Sequence, residues 1–257
     1  MKIQMLASAP DGLGYHYLTT FLVNDTVAVD AGCLGFSKGP DEQARVGNVF
    51  LSHSHADHVC SLPMFLNNVY DRREESVVVH AHPQVLDTLQ TDVFNDRLWP
   101  NVLRLSDRKG PVVRFRAVAP GQAIDVEGLR MTAIPVSHVV PTFGYIVDDG
   151  TSAVVISSDS RETDELWRTA ALLPHLKAAF IGVAFPDEES QLAAKAGHLT
   201  PRSLKSEAAK LPAHVHIVAV HIKPSHAPMI VGQLGALGLP NLGIGCSGQE
   251  YVYGVRS

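Results

Sequence analysis

The segment Leu51-Ser52-His53-Ser54-His55-Ala56-Asp57-His58 constrains this chain more than any other. Three histidines and an aspartate fall within six residues, directly behind the short apolar run at 48–52 (NVFLS). Imidazole and carboxylate in one cluster suit Zn²⁺, Fe²⁺ or Mn²⁺. In extended chain, side chains alternate, so His53 and His55 project to the same side and can reach one ion. If a helix begins next, Asp57 and His58 turn toward a neighbouring ion. Four residues cannot fill two sites, so further ligands are expected where other apolar strands stop on the same rim. His138 after the run 129–136, Asp159 after 152–157 and His221 near the end of 215–222 fit that position.

The rest of the chain reads as short strands and helices. Runs at 18–23 and 26–30 flank Asn24-Asp25, a hairpin signal. Strands are expected at 48–52, 77–80, 112–118, 129–136, 142–148, 152–157, 178–184, 215–222 and 242–246. Helices are expected at 83–93, 161–172 and 200–210 and from 225, with a polar loop at 186–195. Residues 1–10 read as an edge strand, not as a signal peptide. No fixed-period repeat or linker interrupts the pattern. The expectation is one α/β (α+β) domain over 1–257, with mixed sheets covered by helices.

Apolar residues make up 46% and charged residues 18%, which excludes wholesale disorder. Asp and Glu number 26 against 21 Lys and Arg, so bulk-charge binding of nucleic acid is disfavoured. Three cysteines, at 33, 60 and 246, cannot build a disulfide framework and fit a reducing compartment such as the cytoplasm. No apolar run approaches the ~18 residues of a membrane span.

The motif His53-x-His55-x-Asp57-His58 resembles that of the metallo-β-lactamase superfamily, and the likeness extends over essentially the whole chain. It implies a four-layer αβ/βα sandwich with a dinuclear metal site. One metal would be held by His53, His55 and His138, the other by Asp57, His58 and His221, with Asp159 bridging. Asp30 would support the histidine loop from behind the ligands. Three further segments narrow the resemblance: Gly197-His198-Leu199-Thr200-Pro201, Thr142-Phe143-Gly144-Tyr145 and His221-Ile222-Lys223-Pro224. Together they look like the class II 3′,5′-cyclic-nucleotide phosphodiesterases. That family commonly has Leu where this chain has Ala56, a change that leaves the ligands intact.

This resemblance implies hydrolysis of cyclic AMP or cyclic GMP to the 5′-monophosphate. Two divalent cations, Zn²⁺ first and Fe²⁺ or Mn²⁺ as alternatives, would clamp the phosphodiester and supply hydroxide. Asp57 and His198 are the candidate catalytic residues, with His198 as proton donor or phosphate ligand. Thr200-Pro201 looks like a helix start that would attract phosphate, and Lys223 is a candidate counter-charge. His198 as a surface loop residue and Lys223 as a solvated lysine remain the alternatives. Phe36, Phe143, Tyr145 and Phe185 could stack on a base or belong to the core. His16, His175, His214 and His226 read as surface or cap residues and His216 as a polar core residue. His80 and His82 are not expected in the pocket. The implied partner is a small cyclic nucleotide, with no stable nucleic acid and no membrane, and the resemblance implies a homodimer. Rival readings are an RNA phosphodiesterase of the tRNA 3′-processing type, a thioester or lactone hydrolase on the same site, and a non-enzymatic metal-binding module.

Overall fold

In the segment Val27–Val29 the two valines face one apolar core and Ala28 faces another, and all three are fully buried. A strand covered on both faces needs a continuous apolar run, and this requirement shapes the whole molecule. The computed structural model describes residues 1–8, 17–107 and 110–254. The first half contains β1 (Lys2–Met5), β2 (Phe21–Val23), β3 (Val27–Val29), α1 (Pro40–Gln43), β4 (Asn48–Phe50), α2 (Ala56–Val59), α3 (Leu62–Val69), β5 (Val77–Ala81), α4 (Pro83–Thr88), β6 (Ser106–Asp107), β7 (Gly110–Pro111) and β8 (Val113–Ala117). The second half contains β9 (Ala123–Val126), β10 (Leu129–Val136), β11 (Thr142–Asp148), β12 (Ala153–Ile156), α5 (Glu165–Ala171), β13 (Leu176–Gly182), α6 (Ser190–Ala196), α7 (Pro201–Ala208), β14 (His216–Val220), α8 (Ala227–Ala236), β15 (Leu242–Ile244) and β16 (Glu250–Val252).

Two seven-stranded sheets result, ordered β16-β1-β2-β3-β4-β5-β8 and β15-β14-β13-β12-β11-β10-β9; β6 and β7 form a separate small ladder. Phe21, Phe50, Tyr145 and Phe180 fill the space between the sheets. Leu62, Phe65 and Leu66 of α3 and Leu86 of α4 cover the outside of the first sheet. Trp167 of α5, Leu204 of α7 and Ile230 of α8 cover the second. The layers are therefore helix, sheet, sheet, helix. Strands β3, β4, β5 and β8 run parallel, as do β12 to β15. Parallel strands gather their carboxyl ends on one rim, the usual place for a site in α/β sheets.

The hairpin forms as expected, with Asn24 and Asp25 at φ 48° and 63°, a left-handed pair these residues tolerate. Strands 129–136 and 142–148 coincide with β10 and β11. The N-terminal run is not an edge strand, because β16 pairs on its outer side. The 186–195 segment is a short turn of 3₁₀-helix followed by α6, closed by Gly197 in the left-handed conformation. The expected helix at 83–93 is α-helical to Thr88 and widens into a π-turn over Leu89–Val93. Helix α3 and strands β9 and β16 were not expected from sequence. No helix among the described residues is long and apolar enough to cross a membrane.

Candidate metal centre

Strand β4 ends at Phe50, the chain bends at Ser52, and His55, at φ −63° and ψ 147°, is still extended. Helix α2 then begins at Ala56, and Asp57 and His58 fall together in a second group of ligand-type residues. His138 follows β10, Asp159 follows β12 and His221 follows β14 directly. Asp30, Ser158 and His221 all have left-handed backbone, at φ 62°, 57° and 58°. Non-glycine residues held this way carry strain and cluster at functional sites.

Seven side chains from these elements converge into two groups that share Asp159. His53, His55, His138 and Asp159 form one; Asp57, His58, Asp159 and His221 form the other. Within each group the ligand-type atoms all lie within 4.8 Å of one another. Asp159 Oδ2 is 3.7 Å from His53 Nε2, 3.4 Å from His58 Nε2 and 3.3 Å from His221 Nε2. Asp57 Oδ2 is 3.8 Å from both His58 Nε2 and His221 Nε2. His55 Nδ1 and His138 Nε2 approach to 3.4 Å.

The outer nitrogens of four histidines are held from behind. His53 Nδ1 meets Ser52 Oγ at 2.9 Å, His58 Nδ1 meets Asp30 Oδ2 at 2.7 Å, His138 Nδ1 meets the Gly197 carbonyl at 2.9 Å and His221 Nδ1 meets Thr19 Oγ1 at 3.3 Å. Each contact leaves Nε2 turned inward. His53 Nε2, His58 Nε2, His221 Nε2 and Asp159 Oδ1 are buried without any hydrogen-bond partner. Orphaned polar atoms at this density are costly unless something binds them. Four inward lone-pair donors around shared carboxylates fit divalent cations.

The electrostatics follow from burial and from the carboxylates. Burial and the neighbouring His58 hold His53 far below the usual imidazole range. Burial likewise lowers His138 and His221. His58 goes the other way: burial opposes its charge, but the Asp159 and Asp30 carboxylates outweigh it and raise it well above normal. Burial alone would raise Asp159, yet His221, His58 and His53 around it hold it well below the carboxylate range.

His198 stands beside this cluster. Its ring stacks on His221 at 5.7 Å and 15°, and its Nδ1 is 3.9 Å from Asp159 Oδ2. Its side chain is only 9% exposed, and burial pushes it down to about 4, so the imidazole is neutral at pH 7. It is not a surface loop residue. The expected phosphate site at the start of α7 is not available: Thr200 Oγ1 takes the Ser203 N–H, Asp187 Oδ1 takes the Arg202 N–H, and Pro201 has none. Lys223 lies over the Phe185 ring at 5.4 Å.

Among the aromatics, Phe143 and Tyr145 are core residues, and Tyr145 donates its hydroxyl to the Leu51 carbonyl at 2.8 Å, bracing the histidine loop. Phe36 is exposed, and Phe185 packs against His198. His80 stacks on Phe50 and bonds Asn48, and His82 caps α4. His175 bonds Asp148, His214 the Leu176 carbonyl and His216 the Tyr253 hydroxyl, while His226 lies at the start of α8. His16 lies outside the described residues. Sequence reasoning missed Ser52, Thr19 and Gly197. Ser52 abuts the motif and Gly197 precedes His198, but nothing local marks Thr19.

Residues 33–222 match the Beta-lactamase superfamily domain. The chain belongs to the beta-lactamase superfamily. Its two helix-covered mixed sheets are the metallo-β-lactamase fold of that superfamily. A superfamily relative from Yersinia pestis, named "Probable 3′,5′-cyclic-nucleotide phosphodiesterase", is 28% identical over 209 residues, covering 70% of this chain and 58% of that protein. A ribonuclease Z of Methanococcus aeolicus is 26% identical over 110 residues, 41% of this chain and 31% of that enzyme. The chain thus spans less than two thirds of the length of either relative. The unliganded structure of yeast PDE1 has the same fold, with a TM-score of 0.75 at 16% identity over 97% of this chain and 98% of that one. For a beta-lactamase-superfamily hydrolase, the paired His and Asp groups imply divalent metals.

Proposed function

We propose that this superfamily hydrolase is a dinuclear phosphodiesterase that opens 3′,5′-cyclic nucleotides to 5′-monophosphates. The observation that carries the reading is Asp159, whose Oδ2 lies within 3.7 Å of imidazoles from both ligand groups. A single carboxylate so placed can lie between two cations. His53, His55 and His138 would hold one ion, and Asp57, His58 and His221 the other. Zn²⁺ suits this nitrogen-rich set, and Fe²⁺ or Mn²⁺ can use the same ligands. When bound, two such cations neutralise phosphodiester charge and make water nucleophilic at neutral pH.

The chain's own residues do the rest. The supports behind the histidines fix their orientation before substrate arrives. Asp57, about one-third exposed, sits where the centre opens to solvent. His198, neutral and without a hydrogen bond holding its ring, can offer an N–H to a phosphoryl oxygen. With the phosphodiester anion beside it favouring the protonated ring, it can instead pass that proton to the 3′ oxygen as the bond from phosphorus to that oxygen breaks, returning to the neutral form. Water's hydroxyl remains on phosphorus, and the product is a 5′-monoester.

The name of the Yersinia relative supports a cyclic-nucleotide substrate. The ribonuclease Z likeness supports phosphodiester chemistry more broadly. A net charge of −5 favours the small substrate over a long RNA, which a protein holds with a basic surface. A substrate panel tests the reading. Cyclic AMP, cyclic GMP, 2′,3′-cyclic nucleotides, bis-p-nitrophenyl phosphate, a precursor tRNA, a thioester and a lactone should be compared by kcat/KM. The 3′,5′-cyclic nucleotides should be turned over best, with 5′-monophosphate as the product by phosphorus NMR. A preference for tRNA, thioester or lactone, or a 3′-monophosphate product, would overturn it.

A further inference from the structure

Thr19 lies in the short segment leading into β2, far in sequence from any ligand of the centre. It is 9% exposed. Its N–H donates to the Asp57 carbonyl at 2.8 Å, and its own carbonyl accepts from the Gly32 N–H at 2.9 Å. Its hydroxyl faces His221 Nδ1 at 3.3 Å. One residue therefore touches the turn that carries Asp57, on the first sheet, and His221, on the second. These two candidate ligands of the second ion approach to 3.8 Å, so their relative position depends on how the sheets are tied together here.

The tie has little slack. A Cβ on Gly32 would fall 2.0 Å from the Asp57 carbonyl oxygen and 2.7 Å from the Thr19 nitrogen. Only glycine lets these segments close up. His221 itself is left-handed, at φ 58°, a conformation that persists only where its surroundings enforce it. Its Nε2 is buried among the Asp57 and Asp159 carboxylates with no hydrogen-bond partner. An imidazole has one N–H in its neutral form; a hydroxyl at Nδ1 can donate or accept there, and a cation held at Nε2 would leave the N–H on Nδ1, where the hydroxyl can only accept.

We infer that Thr19 is a positioning residue for the second ion: it accepts the Nδ1–H of His221 and holds that ring against Asp57. The inference rests on the two-ion reading of the centre. Thr19→Val keeps the shape and removes the hydroxyl, and Thr19→Ser restores it. Zn²⁺ binding should be measured by chelator competition for the wild type and both variants. In Thr19→Val the first ion should bind as in the wild type and the second about 10–100-fold more weakly, whereas Thr19→Ser should bind both normally. Long-range ¹H–¹⁵N spectra of the metal-free proteins give a readout that needs no bound ion. His221 should be the Nδ1–H tautomer in the wild type and Thr19→Ser, and should shift toward Nε2–H in Thr19→Val. The inference is wrong if Thr19→Val binds both ions normally, if Thr19→Ser is as weak as Thr19→Val, or if wild-type His221 is already Nε2–H. A wild type that binds only one Zn²⁺ would sink the two-ion reading instead, and the spectra would still decide the role of Thr19.

Discussion

His58 Nδ1 lies 2.7 Å from Asp30 Oδ2, and neither residue has exposed surface. The same carboxylate accepts the Ser52 N–H at 2.7 Å and the Ser52 hydroxyl at 2.9 Å. The hydroxyl, having given its proton to Asp30, can only accept from His53 Nδ1. Asp30 thus sets the orientation of two histidines, one in each ligand group, from a single buried point.

Replacing it by alanine would strand three buried donors: the Ser52 N–H, the Ser52 hydroxyl and the His58 ring N–H. Breaking a buried charged pair from one side costs about 3–5 kcal/mol. Asp30→Ala should lower the free energy of unfolding in urea by that order. Asp30→Asn preserves the shape and one acceptor and should cost distinctly less. A loss below about 1 kcal/mol for Asp30→Ala would contradict this account, since a single ordinary hydrogen bond contributes that much.

Gly197 offers a paired comparison. Its φ is 77°, and a Cβ there would fall 2.6 Å from His138 Nδ1. Gly121 has nearly the same φ, 74°, with nothing within 4 Å of its Cβ position. Alanine at either position carries the left-handed backbone cost of about 1–2 kcal/mol. Only Gly197→Ala should also displace His138, and a displacement near 1 Å costs about 100-fold in turnover. Both melting temperatures should therefore fall, further in Gly197→Ala because of the added overlap, while kcat falls in Gly197→Ala alone.

The contrast between Gly197 and the histidine motif shows what the sequence can and cannot reveal. His53, His55, Asp57 and His58 are neighbours in the chain, so strand alternation followed by a helical turn brings them together by local rules. His138, Asp159 and His221 were legible because each stands where an apolar run stops, and the carboxyl ends of parallel strands share a rim. Thr19 meets His221 across 202 residues and Gly197 meets His138 across 59, and no local pattern encodes such pairings. The start of α7 misled for the same reason, since Asp187, fifteen residues upstream, already occupies one of its N–H groups. Helix α3 had a readable signal, with Leu62, Phe65, Leu66 and Val69 buried at helical spacing. β16 is three residues long and is defined by its pairing to β1.

Cys33 is buried, whereas Cys60 and Cys246 are exposed. A thiol reagent at pH 8 should titrate two cysteines in the native protein and the third only after denaturation. Burial also pushes the Cys33 thiol up to about 11 from 9.0. A raised acid favours the fold while it stays protonated, so this contribution is intact below pH 9 and is lost as pH rises from 9 to about 11. At about 1.4 kcal/mol per unit, the decline amounts to roughly 3 kcal/mol. Urea titrations at pH 8, 9.5 and 11 should show Cys33→Ala losing less stability over this range than the wild type. Equal losses would mean the thiol ionises in the folded state as readily as in the unfolded one.

His198 is the residue whose role depends most on the bond being broken. Its ring lies against His221 and Asp159 but is not itself among the two ligand groups, so His198→Ala should leave Zn²⁺ stoichiometry unchanged. Its effect on rate should follow the leaving group. The 3′ alkoxide of a cyclic nucleotide is a strong base and needs a proton as it departs, whereas p-nitrophenolate does not. General acid catalysis contributes about 10²–10⁴-fold where it operates. His198→Ala should therefore lower kcat on cyclic AMP by a factor in that range and change kcat on bis-p-nitrophenyl phosphate much less. Equal losses on both substrates would show that His198 serves only to hold phosphate, because binding a phosphoryl oxygen is common to both while protonating the leaving oxygen is not.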